Sequence, residues 1–287
     1  MDSALIMETF INNLIHLFSN KVAATRRQEL KEMQPVVVMA RGHSGTRVLA
    51  QVLNLLNVQM WSDQQRQSGD TDRRLSRTIK EIVKKDTFIT AEEQYQSSSR
   101  NMFEKAVYNY YQRLGHPRSD WGWKFPETYL IAPLVYTIFP RAKFIHFVRD
   151  GRDIAFKNHL TDDPARKVGR KILKRLNAMN KPNHIQTALS WKFQVESFNH
   201  FKQKLSREQL LELTFENLCI RPQASVGELC DFLNTPLTKQ CEDYLNNEIN
   251  AAKVRQYQEN DPARVIEVEH VIKDTLLRYG YELTAEK

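Results

Sequence analysis

An α/β fold, with a central, mostly parallel sheet flanked by helices on both faces, is what this 287-residue sequence predicts. Two observations carry that expectation. Short apolar runs of strand length alternate with longer segments of helical periodicity, the pattern of parallel strands joined by crossover helices. In addition, two strand ends about one hundred residues apart run directly into tight turns that hold glycine and arginine and open helices. Residues 1–287 read as a single domain, with 1–30 as an N-terminal helical extension.

The elements follow in order. Ala4 to Phe18 is apolar but interrupted by Glu8, Asn12, Asn13 and His16, and is too short to span a bilayer. It reads as an amphipathic helix packed on the domain. Val36-Val37-Val38-Met39, bounded by Pro35, suits a strand buried on both faces. Val48, Leu49, Val52, Leu53 and Leu56 then recur at helical spacing. Between them lies Arg41-Gly42-His43-Ser44-Gly45-Thr46-Arg47. Two glycines allow a tight turn, and the first helical N–H groups are left facing outward as an anion site. Arg41, His43 and Arg47 add donors and Ser44 and Thr46 add hydroxyls, which favours a phosphate or sulfate site over a simple capped turn.

Trp61 to Asp72 is polar and reads as a loop near the strand C-termini, where open α/β sheets bind ligands. Helices are expected over Arg74 to Lys85 and Ser99 to Leu114, the second with Phe103, Val107, Tyr110, Tyr111 and Leu114 as a core face. Lys124 ends a short aromatic strand, since Pro126 forbids its simple continuation. Arg141 to Arg149 is a clear strand that turns through Asp150-Gly151-Arg152-Asp153 into a helix start. Asp163 to Asn180 reads as a basic helix and Ile185 to Leu205 as a long amphipathic one. Leu210 to Phe215 is a further strand, followed by helices over Pro222 to Leu233, Lys239 to Asn247 and Pro262 to Tyr279.

Composition narrows the functional classes. A net charge of +8 and a basic pI near 9.3 favour an anionic partner without saying which. Cys219, Cys230 and Cys241 are too few and too scattered for a disulfide framework or zinc knuckle, so they read as core thiols in a cytoplasmic protein. The basic run from Asp163 to Asn180 is read as a solvated helix face rather than a DNA or membrane surface.

Three ordered segments resemble the sulfotransferases that use 3′-phosphoadenosine 5′-phosphosulfate (PAPS). Arg41 to Arg47 is similar to that family's 5′-phosphosulfate loop, and Phe147 to Asp153 to its 3′-phosphate strand and turn. Leu213-Thr214-Phe215-Glu216-Asn217-Leu218 is similar to the segment that helps hold adenine, and Leu276 to Tyr281 to a common C-terminal ending. The resemblance spans roughly 35–281. It implies a P-loop NTPase-like sulfotransferase fold and sulfuryl transfer from PAPS to a hydroxyl, less readily an amine, of a small polar acceptor such as a sugar or hydroxylated natural product. The product is 3′,5′-ADP, and no metal, nucleic acid or membrane insertion is implied; the oligomeric state is left open. It places Arg41, Gly42, His43, Ser44, Gly45, Thr46, Arg47, Arg149, Lys157 and Phe215 on the nucleotide, with Lys124 and His43 beside the transferring group.

Departures from the family pattern matter too. His43 stands where a permanent cation is usual, so activity is expected to fall as pH rises through its pKa if its charge is required. Lys157 replaces a serine, and Phe215 replaces a tyrosine. For the general base, Asp63 in the polar loop is favoured over Glu127. A P-loop kinase is the rival enzyme class, but the Gly-x4-Gly-Lys-Ser/Thr pattern is absent. A basic nucleic-acid-binding protein is the other alternative, and it does not require paired phosphate turns.

Overall fold

The computed structural model describes residues 21–61, 72–86, 95–115 and 120–284. Among the described residues, four parallel strands form one sheet in the order β2-β1-β3-β4. They are β1 (Val36–Met39), β2 (Gly122–Lys124), β3 (Lys143–Val148) and β4 (Leu210–Thr214). The register pairs Val38 with both Lys124 and Ile145, and Val148 with Thr214. The C-terminal ends of all four strands therefore lie along one edge, and the site is built there.

Alternation along the strands divides the core into two layers. Val37, Met39, Trp123, Phe144 and Val148 face one layer, whereas Val36, Val38, Ile145, Phe147 and Leu213 face the other. The second layer is covered by α2 (Thr46–Leu55), α9 (Phe215–Ile220), α10 (Pro222–Leu233) and α11 (Lys239–Glu248). The first is covered by a helix over 21–32 (α1), α3 (Arg73–Lys85), α4 (Ser97–Arg113) and α5 (Ala132–Ile138). The same face holds α6 (Gly151–Ala155), α7 (Lys167–Arg175), α8 (Asn183–Phe201) and α12 (Pro262–Arg278). Strands buried on both faces explain why their sequences read as continuous apolar runs.

Local chemistry sets several boundaries. Asp72 caps α3 by accepting from the Leu75 N–H at 2.7 Å, and Arg113 of α4 bonds the same carboxylate at 2.8 Å. Gly122 begins β2 because a Cβ there would lie 1.9 Å from the Val36 carbonyl oxygen. The basic helix is shorter than its charge pattern predicts, Lys167–Arg175 in place of 163–180. Asp163 accepts from the Ala165 N–H in a turn around Pro164, and Asn177 ends the helix at φ 52. Phe215 likewise opens α9 instead of ending β4, because Thr214 caps that helix through the Asn217 N–H.

His146 and, at the end of β2, Lys124 are buried polar residues of the sheet; His146 lies within its core. It is fully buried, its Nδ1 lies 2.9 Å from Glu212 Oε1, and the Tyr129 hydroxyl bonds its Nε2. Burial lowers its pKa, while the paired Glu212 carboxyl is held down at about 2 by His146 and Lys202 against its own partial burial. Among the described residues no helix is long and apolar enough to cross a membrane.

Candidate functional site

The first turn is shaped by two aromatic contacts. Gly45 caps α2 at φ 78, and a Cβ on it would meet the Phe215 ring at 2.3 Å. A Cβ on Gly42 would meet the His159 ring at 2.4 Å. At Gly45 the positive φ and the ring together call for glycine, and at Gly42 a side chain would push the His159 ring aside, so the loop backbone is brought close to both rings. No side chain caps α2, which leaves the positive end of that helix facing the cleft.

Arg41 departs from the expectation that it presents donors to a ligand. It is 1% exposed, its Nη2 bonds Asp162 Oδ1 at 2.5 Å and its Nη1 bonds the Gly42 carbonyl at 2.9 Å. Asp162 also accepts from Thr161 Oγ1, Thr187 Oγ1 and the His159 N–H. Arg41 thus ties the turn to the segment following α6. Ser44 is buried as well, its N–H reaching the Arg41 carbonyl at 3.3 Å.

His43 also differs from its expected part. Its ring Nε2 lies 2.8 Å from the Asn158 carbonyl and so carries the proton, and its backbone is left-handed at φ 68. Its pKa is lowered, chiefly by burial and further by Arg41 and Lys157. The shift favours the neutral imidazole. Geometry makes it a pin for the loop, with its own carbonyl accepting from Arg149 Nη1 at 3.1 Å.

A cleft of about 540 Å³ opens at the strand ends. It is lined by Gly42, His43, Gly45, Thr46 and Arg47 from the first turn, and by Lys124 and Glu127 from the end of β2. Lys124 is 3% exposed and Glu127 is buried, with Glu127 Oε1 3.8 Å from Lys80 Nζ. Arg149 and Phe215 form the opposite wall, the guanidinium stacked 4.3 Å from the ring centroid. Arg149 is fixed by Asp153 at 2.9 Å and by the Lys253 carbonyl at 2.7 Å.

The predicted site residues therefore separate. Gly42, His43, Gly45, Thr46, Arg47, Lys124, Glu127, Arg149 and Phe215 converge on one cleft. Arg41 and Ser44 support it from beneath, and Lys157 does not line it. Asp63 lies outside the described residues. The turn after β3 is a support too: Arg152 forks onto Asp150 at 2.7 Å and bonds Glu269 at 2.5 Å, which anchors α12.

Several cleft residues carried no sequence signal. Ser76 and Lys80 come from α3, His159 and Leu160 follow α6, and Asn250 and Lys253 follow α11. The clash that a Gly42 Cβ would make with His159 shows why sequence could not reveal that residue: the contact spans more than a hundred positions. His159 is neutral, its pKa lowered to about 3 by burial and by the nearby Arg41 charge. Its Nδ1 lies 2.9 Å from Thr161 Oγ1.

Strand, glycine turn and helix N-terminus at the edge of a parallel sheet, with Lys124 and Arg149 converging on them, define an α/β protein of the P-loop-like class. The model of the sulfotransferase family matches residues 35–239, and the chain belongs to that family. Its fold is similar to the sulfotransferase domain from the curacin biosynthetic pathway (TM-score 0.53, 16% identity, covering 87% of this chain and 98% of that one). It is also similar to a sulfotransferase from Mycobacterium avium (TM-score 0.55, 12% identity, 94% and 82% covered). A third match is a sulfotransferase from Alicyclobacillus acidocaldarius (TM-score 0.50, 15% identity, 88% and 98% covered). At such identities the likeness is one of fold. No curated protein matches the chain in sequence.

Proposed function

We propose that the protein moves a sulfuryl group from PAPS to a hydroxyl of a small polar acceptor and releases 3′,5′-ADP in the cytoplasm. The observation that carries this reading is the joining of an uncapped helix N-terminus, a buried lysine and an Arg149–Phe215 stack in one cleft. Backbone N–H groups of Gly42 to Arg47 receive the 5′-phosphosulfate. The Phe215 ring receives the adenine, and Arg149 and Lys253 the 3′-phosphate end. In the reaction the acceptor oxygen attacks sulfur as the bond from sulfur to the bridging phosphate oxygen breaks. Lys124 stabilises the charge that develops on that departing oxygen. The acceptor proton goes to a carboxylate; Glu127 and Glu248 both line the cleft, and Glu127 is the one beside Lys124 at the end of β2.

His43 serves this reading through its main chain and as the loop's anchor to Asn158, not as a cation. Three free thiols accord with a reducing compartment. Thermal-shift measurements test the assignment against the rival classes. Saturating 3′,5′-ADP is expected to raise Tm by several degrees, whereas ATP with magnesium and duplex DNA leave it within about one degree. A folded sample with no shift on 3′,5′-ADP overturns it.

A further inference from the structure

The nucleotide cleft does not end at Lys80 and His159. Those residues, with Leu160, also line a larger cavity of about 830 Å³, so the two spaces share a wall at the transfer centre. The shared wall is tied to the phosphate loop itself, because Asn158 holds the His43 ring and Asp162 holds Arg41. A group seated in the second cavity therefore lies beside the position where the sulfuryl group is handed over.

The chemistry of the second cavity is one-sided. Lys84, Arg166 and Lys167 line its outer part, and its two carboxylates do not balance them. Asp162 is consumed by the buried Arg41, and Asp163 lies 3.6 Å from Arg166 at the rim. Glu81, outside the lining, lies 2.6 Å from Lys84 and is lowered in pKa by Lys84, Lys167 and Lys85 together, so one acid meets several cations. The flanking helices carry the same bias: α3 holds six basic residues and one acidic, and α7 five basic and none acidic. Their joint surplus exceeds the net +8 of the whole chain. A field of that sign concentrates anions and repels cations at the mouth of the site.

We propose that the acceptor is itself anionic: it offers a hydroxyl at the transfer centre and a carboxylate or sulfate that Lys84, Arg166 and Lys167 hold in the second cavity. This rests on the sulfuryl-transfer reading and narrows its acceptor class. Lys84 is partly exposed and Arg166 and Lys167 are exposed, so each ion pair is worth little alone and the preference comes from three acting together. It weakens with salt for the same reason.

A matched pair of probes tests it. 4-Nitrophenyl β-glucuronide and 4-nitrophenyl β-glucoside differ by a carboxylate in place of a hydroxymethyl group. Calorimetric titration of the full chain, with and without saturating 3′,5′-ADP, is expected to show the glucuronide bound about tenfold more tightly at low salt. In the Lys84→Gln/Arg166→Gln/Lys167→Gln variant the advantage shrinks to about twofold or less, and the affinity for 3′,5′-ADP is unchanged. Equal affinity for the two glycosides in the wild type, or a preference that survives the triple substitution, overturns the proposal. Tight binding of a DNA 12-mer that the triple substitution abolishes, with no glycoside preference, makes the surface a general polyanion face and also overturns it. Absence of 3′,5′-ADP binding strikes the donor assignment instead, and the nucleotide-free titrations still decide whether the cavity prefers the carboxylate.

Discussion

Burying an ammonium group costs solvation that nearby negative charge or acceptors must return, and Lys124 is 3% exposed in the wall of the cleft. A cation so placed acts most strongly when charge develops beside it. Lys124→Ala is accordingly expected to lower turnover about 10²- to 10³-fold while leaving the dissociation constant for 3′,5′-ADP within a few-fold. Full retained turnover removes Lys124 from the chemistry. Arg41 obeys the opposite logic, since its guanidinium is spent on Asp162. Arg41→Met strands a buried carboxylate, and denaturant unfolding should show a loss of about 3–5 kcal/mol. At His43 the lowered pKa fixes a sign. A ring with a pKa below the ordinary histidine value is already mostly neutral at pH 7, so raising the pH from 7 to 9 removes little charge from it. The pH–rate profiles of wild type and His43→Asn should therefore share their shape over that range. A limb present only in the wild type restores His43 as a working cation.

At the scale of elements, legibility followed the range of the forces involved. β1, α10 and α12 were readable because a run such as Val36 to Met39, or Pro222 at a helix start, carries its own signal. The ends of α7 were not, because the expected span of 163–180 contains no glycine or proline after Gly169 to mark where the backbone turns left-handed at Asn177. The site divides in the same way. The glycine turn was visible from spacing alone, but the direction of the Arg41 side chain was decided by Asp162, 121 residues away. Arg149 and Phe215 were foreseen separately, whereas their stacking is a product of β3 and β4 lying side by side. Gly45 joins these scales. Its φ of 78 and the Phe215 ring 2.3 Å from a built Cβ both oppose substitution. Gly45→Ala should displace the ring or the turn, lowering Tm and weakening 3′,5′-ADP binding at least about tenfold, an effect of roughly 1.4 kcal/mol. Unchanged affinity would show that the turn is not the nucleotide's cradle.

Across the whole molecule, buried titratable groups pull stability in opposite directions. Glu216 accepts from the Asp150 N–H and the Tyr281 hydroxyl, which joins the turn after β3, the start of α9 and the C-terminal segment. Burial raises its pKa from 4.5 to about 7, so the folded chain holds a proton that the unfolded chain has released. Its contribution is full below pH 4.5 and is lost as pH rises to 7. His159 does the reverse: with its pKa lowered from 6.5 to about 3, its contribution is full above pH 6.5 and is lost on acidification. His43 and His146 push with His159, and Asp150 pushes with Glu216. Between pH 4.5 and 6.5 the two tendencies overlap and oppose each other. The slope of wild-type Tm across that window is accordingly the difference between the two tendencies. In Glu216→Gln the histidine contribution is left exposed and Tm should climb with pH. In His159→Asn the histidine side is weakened by its most strongly shifted member, and Tm should instead decline with pH relative to wild type. Thermal unfolding of the three proteins at half-unit pH intervals reads these slopes directly. Parallel curves would mean that neither group changes its protonation on folding.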